Sequence, residues 1–260
     1  MERVFTRIIA FLAGLAAFSC TSIKEDRSRC PAEYTVVFSG PEQTEGEEYS
    51  FSASGAGLRD GFVYRGGEQA RVYSLPRKPL SLFAYCGWTA ESPYVVRLGD
   101  SCDSVYTGRA DAFCKGESGW NRLVLHKDFA TLFIAQELAS GAGPWTVRIE
   151  ADCCGIDPSD GRPVRGAFRC MPQMSTAGTL GTAAIRIPRQ TDGFRLCFLR
   201  SGNVMPVKTL AFDAAAAAAI GYSWTSEDLE DISITAEITA GSVTAEVSLW
   251  NDGGGSSIHL

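Results

Sequence analysis

Near the end of the chain, Ile232, Ile234, Ala236 and Ile238 alternate with Ser233, Thr235, Glu237 and Thr239. After Ala240-Gly241 the alternation resumes as Val243, Ala245, Val247 and Leu249. Successive side chains of a β-strand point to opposite faces, so a period of two buries one face and leaves the other in water; a helix with this pattern would scatter its apolar groups all round. The glycine between the two runs reads as a tight hairpin. In Trp145-Thr-Val-Arg-Ile-Glu-Ala151 the odd positions are apolar and the even ones polar, the mark of a one-sided sheet.

The rest of the chain supplies more of the same. Glu33–Phe38, Phe62–Arg65, Gln69–Leu75, Pro79–Cys86, Tyr94–Leu98 and Val105–Cys114 are β-branched or aromatic runs bounded by turn residues, and a polar break at Gly116-Glu-Ser-Gly119 follows them. Beyond the break come Leu123–Ala135, Val164–Cys170, Ala183–Ile187 and Phe194–Leu199, of which Leu132–Ile134 suits a central strand. One helix is expected, with Asp213 as N-cap before Ala214–Ala219 and Gly221 near its stop. A flexible alanine linker is the other reading of that run. With 260 residues, 45% of them apolar and 27 glycines, the chain has enough material for a large core cut by many turns. The expected class is all-β, with one sandwich over residues 31–118 and another over 121–260.

A net charge of −6 argues against reading nucleic-acid phosphates through a basic face. Arg3 and Arg7 precede an apolar stretch, Ile8 to Phe18, too short for a helix crossing a bilayer of about 30 Å. The stretch closes on Ala17-Phe18-Ser19-Cys20, so residues 1–19 read as a secretory signal in which Cys20 is the lipidated first residue of the mature protein. Ordinary secretory cleavage, with Cys20 incidental, is the alternative. Loss of residues 1–19, which carry one acid (Glu2) and two arginines (net +1), leaves −7. Residues 20–30 are polar and read as a tether.

Cys20 apart, eight cysteines remain: Cys30, Cys86, Cys102, Cys114, Cys153, Cys154, Cys170 and Cys197. Export permits disulfides, but eight cysteines allow 105 connectivities and the spacing selects none. Cys102 and Cys114 flank a short strand and form the expected local pair. Cys86 and Cys197 lie inside apolar runs and read as packed thiols. No Cys-x-x-Cys occurs, and the two histidines, His126 and His259, have no second ligand at metal spacing, so no metal site and no cofactor are expected.

Catalytic signatures are equally missing: the sequence has no Gly-x-Ser-x-Gly elbow, His-Glu-x-x-His or phosphate loop. His126, beside Lys127 and Asp128, reads as a strand histidine rather than a general base. Asp157-Pro-Ser-Asp160-Gly161 reads as a hairpin turn rather than a calcium loop, and Glu45, Glu47 and Glu48 as a solvated loop. Two dispersed carboxylates of a glycosidase would leave no motif. Even so, no enzyme is expected. Trp88 and Trp120 are candidate platforms for sugar rings. Ile258 and Leu260 alternate with Ser257 and His259 as a short donor strand would.

Three segments taken in order resemble a family. The start, Cys20-Thr-Ser-Ile-Lys-Glu-Asp-Arg-Ser-Arg-Cys30-Pro31, is similar to the opening of the fimbrillin-associated anchor lipoproteins of the FimB/Mfa type from Bacteroidetes. Leu123-Val-Leu-His-Lys-Asp-Phe-Ala-Thr131 is similar to the strand opening their second domain, and Trp224-Thr-Ser-Glu-Asp-Leu-Glu-Asp-Ile232, with Trp250-Asn-Asp-Gly-Gly-Gly, to their closing segment. Lys24-Glu25-Asp26 resembles the short signal that sends Bacteroidetes lipoproteins to the cell surface, and Asp103-Ser104-Val105 their O-glycosylation acceptor. The resemblance implies two transthyretin-like Greek-key sandwiches, a palmitate-bearing lipid anchor in the outer membrane, surface display, and fimbrial stalk subunits as partners. It makes the chain a structural subunit of a fimbria, most simply its membrane anchor. A surface lipoprotein that binds glycans or host molecules is the alternative.

Overall fold

Tyr34, Val36 and Phe38 alternate along the first strand and are all buried, while Glu33, Thr35 and Val37 face outward. Burial of that one apolar face places the strand inside a sandwich rather than beside it. The computed structural model describes residues 30–40, 48–54, 58–63, 68–87, 94–140, 142, 144–157, 160–200, 202–250 and 256–260. Cys20, Lys24-Glu25-Asp26, Glu45, Glu47 and Trp88 lie outside the described residues.

In chain order the strands are β1 (Ala32–Ser39), β2 (Glu48–Ser54), β3 (Leu58–Val63), β4 (Glu68–Leu75), β5 (Leu80–Cys86), β6 (Tyr94–Val95), β7 (Tyr106–Ala112), β8 (Ser118–Val124), β9 (His126–Lys127) and β10 (Phe129–Leu138). Then come β11 (Trp145–Asp157), β12 (Arg162–Cys170), β13 (Ser175–Ala177), β14 (Leu180–Pro188), β15 (Gly193–Arg200), β16 (Lys208–Asp213), the helix α1 (Ala214–Ala219), β17 (Ile232–Ile238), β18 (Val243–Leu249) and β19 (Ser257–His259). The architecture is an all-β sandwich, as the alternation requires.

Among the described residues the strands form four sheets, in the orders β4-β1-β8, β3-β2-β5-β7-β9, β13-β14-β10-β17-β18-β19 and β12-β11-β15-β16. The first two face each other across a cluster that includes Val36, Phe38, Leu75, Leu82 and Leu123. The other two enclose a larger cluster, with Leu132, Ile149, Phe198, Phe212 and Ile234 among its members. The same path is traced twice. β1 lies between antiparallel β4 and parallel β8, and β10 lies between antiparallel β14 and parallel β17. The facing sheet begins with the hairpin β2-β3 in one case and β11-β12 in the other.

Two features join these halves. β5 sends Leu82, Ala84 and Cys86 into the first cluster and Phe83 and Tyr85 into the second, so it is buried on both faces. The connection from β5 to β7 leaves its own sandwich: β6 pairs with Gly155 and Ile156 of β11, Gly99 bridges Cys170, and Cys102 N–H donates to Arg186 C=O at 2.9 Å.

The break expected at Gly116-Glu-Ser-Gly119 is not where the chain changes sandwich. Gly119 to Asn121 lie inside β8, which runs parallel to β1 and completes the first pair of sheets. The run expected as one strand over Leu123–Ala135 is three pieces. Its middle, β9, crosses to pair with β7, and only β10 belongs to the second pair. Backbone pairing to β1 overrides the polar composition of the turn. The alanine run is a helix: the Asp213 carboxylate accepts from the N–H groups of Ala215 and Ala216 at 3.0 Å, and Gly221 follows at φ +76°.

Candidate functional site

The two segments that carry the resemblance in the middle and at the end of the sequence meet in space. Lys127 N–H donates to Asp228 Oδ1 (2.7 Å), and His126 Nδ1 lies 3.1 Å from Asp228 Oδ2. Lys127 Nζ and the Thr131 N–H both reach Asp231 Oδ1 at 2.6 Å. Beneath them Asp128, 4% exposed, accepts from Arg189 Nε at 2.7 Å and from the Thr107 hydroxyl. Arg189 spends its remaining donors on the carbonyls of Trp224 (2.6 Å), Ser226 (2.7 Å) and Glu227 (2.9 Å). A planar guanidinium with fixed, forked donors can hold an irregular loop and a carboxylate together. Burial nonetheless pushes the Asp128 carboxyl above its ordinary value, against the pull of Arg189.

This cluster is a pin. Thr107 comes from β7, His126 and Lys127 from β9, Asp128 from the step into β10, and the loop 222–231 closes over Arg189. Within it His126 pairs with Asp228, whose own side chain is exposed. Arg189 carries no sequence signal, and the pairings of Asp128 and Asp231 carry none either, because the partners are 61 and about 100 residues apart, with no local spacing to mark them.

The other expected site residues are scattered. Cys102 and Cys114 are not a pair: Cys102 belongs to the second cluster and Cys114 to the first, and both are unbridged thiols. Cys114 Sγ donates to Ser118 C=O at 3.0 Å, while burial pushes the Cys102 thiol up to about 12. Cys86 and Cys197 are buried as expected. Asp160 and Gly161, with φ +70°, make the β11–β12 turn, Asp160 accepting from the Arg162 N–H at 3.0 Å. Among the described residues, no three metal-ligating side chains gather. Ser104 is half-buried, with its hydroxyl held by Arg186 Nη1, which leaves it poorly presented as a glycosylation acceptor.

Two surfaces remain. Ile258 and Leu260 do form an extended segment, but its partner is this chain's own β18: Val247 faces Ile258, and Leu260 N–H donates to Ala245 C=O at 2.8 Å. Trp120, on the outward face of β8, is 70% exposed. It sits across β1 from Val72, 60% exposed, because both register with Thr35. Near that face a groove of about 770 Å³ is lined by Cys30, Glu33, Val72, Arg77 and Glu117, where the chain enters β1.

No family model matches the sequence, and no curated protein matches it. The fold, however, is similar to solved structures. The fimbrial anchor protein Mfa2 from Porphyromonas gingivalis superposes with a TM-score of 0.61 at 10% identity, over 88% of this chain and 99% of that one. A candidate polysaccharide-binding protein from Bacteroides thetaiotaomicron gives 0.65 at 8% identity, over 88% and 98%. A candidate adhesin from Bacteroides ovatus gives 0.60 at 10% identity, over 93% and 99%. At these identities the likeness establishes the shared fold across nearly the whole chain.

Proposed function

We propose that the protein is a structural subunit of a surface fimbria, and that it is the subunit that holds the fibre to the outer membrane through a lipid on Cys20. The observation that carries this reading is the position of β1. It is the central strand of its sheet, paired along its length on both sides, and it begins twelve residues after Cys20. A subunit that lost this strand would lose the middle of a sheet, so the strand and the tether ahead of it belong to the working protein. The similarity in fold to a fimbrial anchor supports the same reading. The chain reads as two sandwich units, with the second beginning at β10.

The experiment is metabolic labelling with an alkyne fatty acid, together with sequencing of the mature N-terminus. Label on the wild type, its loss with Cys20→Ala, and release of the variant from membranes are expected. A mature chain starting after Arg29 overturns the anchor role. The same reading takes the C-terminal tail, where β19 is held by a three-residue ladder, as the contact with the next subunit; deleting residues 251–260 should abolish fibre attachment while leaving the lipid in place, and normal attachment would remove the tail from the mechanism. A second reading, a glycan-binding surface lipoprotein, rests on the exposed indole of Trp120. A glycan array that responds to wild type but not to Trp120→Ala would favour it.

A further inference from the structure

The two most exposed large apolar side chains among the described residues are neighbours, Val204 at 81% and Met205 at 77%. With half-buried Pro206 and exposed Val207 they form the turn between β15 and β16. Polar and glycine residues ordinarily make such turns; Thr239-Ala-Gly-Ser242, between β17 and β18, closes on its own hydroxyls. A contiguous apolar tip held in water marks a contact surface, whereas single exposed apolar residues do not. We infer that the 203–207 turn is an anchor that inserts into an apolar, acid-rimmed pocket of the next fimbrial subunit. The inference rests on the fimbrial reading and adds to it the part of the molecule that grips the neighbour.

The position of the turn selects that partner. The chain enters the first sandwich at Cys30 and leaves it at the other end of β1, where Leu125 N–H donates to Ser39 C=O at 2.8 Å. It enters the second sandwich at the start of β10, and the end of β10 is the far side of that unit. There Ala139 N–H donates to Ile238 C=O at 2.8 Å, Trp145 pairs with Arg200, and Arg200 Nη2 donates to Ala240 C=O at 3.2 Å. The 203–207 turn leaves β15 at this far end. Turn and tether thus occupy opposite ends of the two-sandwich path, which gives the turn to the next molecule along rather than to the bilayer that would hold Cys20. The C-terminal strand heads the same way, since Leu260 N–H donates to Ala245 C=O, two residues from the start of β18.

The turn is held in shape before any partner arrives. Asn203 N–H donates to Arg200 C=O (3.0 Å), Val207 N–H to Phe198 C=O (2.8 Å), and Arg148 Nη1 to Val204 C=O (3.3 Å). A backbone already ordered gives up little entropy on docking, and the unbranched thioether of Met205 adapts to the pocket it fills. Arg200 and Lys208 flank the tip, and neither meets an acid among the described residues; the Arg200 guanidinium lies instead 5.4 Å from the centre of the Trp145 ring. Unpaired cations at the rim of an apolar projection favour acidic groups around the pocket that receives it. Four residues cannot cover the roughly 1,200 Å² of a stable interface, so the turn is the central anchor of a face shared with the 239–242 turn and the C-terminal strand.

The test keeps the full chain in fimbriated cells and places a photo-crosslinking benzoylphenylalanine at Asn203, with a second strain carrying it at His259. The expected result is an adduct from position 203 to a different fimbrial subunit, mapped by mass spectrometry to an apolar pocket with acidic neighbours. Met205→Asp should lower that adduct about tenfold or more, while Met205→Leu keeps it within about twofold. Lys208→Glu, which reverses a rim charge, should lower it about threefold. Because Met205 and Lys208 lie in water, the thermal midpoint of each purified variant should match the wild type, so a weaker adduct reports docking and not folding. Should Met205→Asp unsettle the fold, Val204→Asp is read in the same way. An adduct from 259 with none from 203 overturns the anchor turn and leaves the fimbrial reading standing. No adduct to a fimbrial subunit from either position overturns both. An adduct from 203 to a phospholipid, to a second copy of this chain, or one indifferent to Met205→Asp also overturns the anchor turn.

Discussion

Arg189 and Asp128 show how much of this molecule depends on two side chains that lie in no regular ladder of their own. Their side chains are 12% and 6% exposed, and the guanidinium also holds three carbonyls of the loop after α1. Arg189→Ala would leave a buried carboxylate and three loop carbonyls without donors, and should cost about 3–5 kcal/mol in chemical denaturation. The pH dependence has a definite sign. Burial raises the Asp128 carboxyl in the folded state, so its contribution is fully present below the unfolded value of about 4 and is lost as pH rises through the folded value. Thermal melts from pH 4 to pH 7 should therefore show wild type losing stability relative to Asp128→Asn; a constant difference would refute the assignment. The cysteines give a third expectation. Cys30 is exposed, whereas Cys86, Cys102, Cys114, Cys153, Cys154, Cys170 and Cys197 are buried. In a mature chain acylated at Cys20, maleimide at neutral pH should label Cys30 alone among the thiols until denaturant is added. A mass two hydrogens lower before reduction would instead revive a disulfide.

At the scale of elements, legibility tracks how local the cause of each strand is. β17 and β18 carry their own alternation and a glycine turn, and they form the hairpin the sequence describes. Asp213 and the alanines carry their own cap and propensity; Asp213→Ala should cost about 1 kcal/mol, measured by denaturant melts. β8 has no such signal. Ser118-Gly-Trp-Asn-Arg-Leu-Val124 contains a glycine and polar residues and is a strand because β1 offers it a ladder seven residues long. β11 was legible only as far as Ala151. Beyond it, register shifts between Ala151 and Gly155 break the period, burying the adjacent Cys153 and Cys154 together, and Gln190 ties the irregular backbone at Cys153 with two 2.9 Å bonds. The expected donor residues Ile258 and Leu260 were recognisable as a strand, but not its partner, since pairing within the chain and pairing to a neighbour use the same alternation. The placement of β8 also changes an expectation about proteolysis: limited digestion should spare Gly116 to Asn121, and a first cut there would contradict the ladder to β1.

For the molecule as a whole, the path traced twice yields two clusters that are not independent, because β5 is shared between them and the β6 segment runs along β11. Unfolding by denaturant should accordingly be a single transition, with fluorescence and circular dichroism midpoints coinciding; separated midpoints would mean the shared strand does not couple the halves. The central position of β1 has a mechanical consequence as well. A pull on the chain ahead of Cys30 acts along the axis of β1, so the ladders to β4 and β8 are loaded in shear and their bonds must yield together rather than one after another. A peripheral strand drawn sideways would unzip bond by bond at far lower tension. The first strand of the chain is thus the one the sheet grips from both sides, and a steady drag on the residues ahead of it is met by two ladders at once.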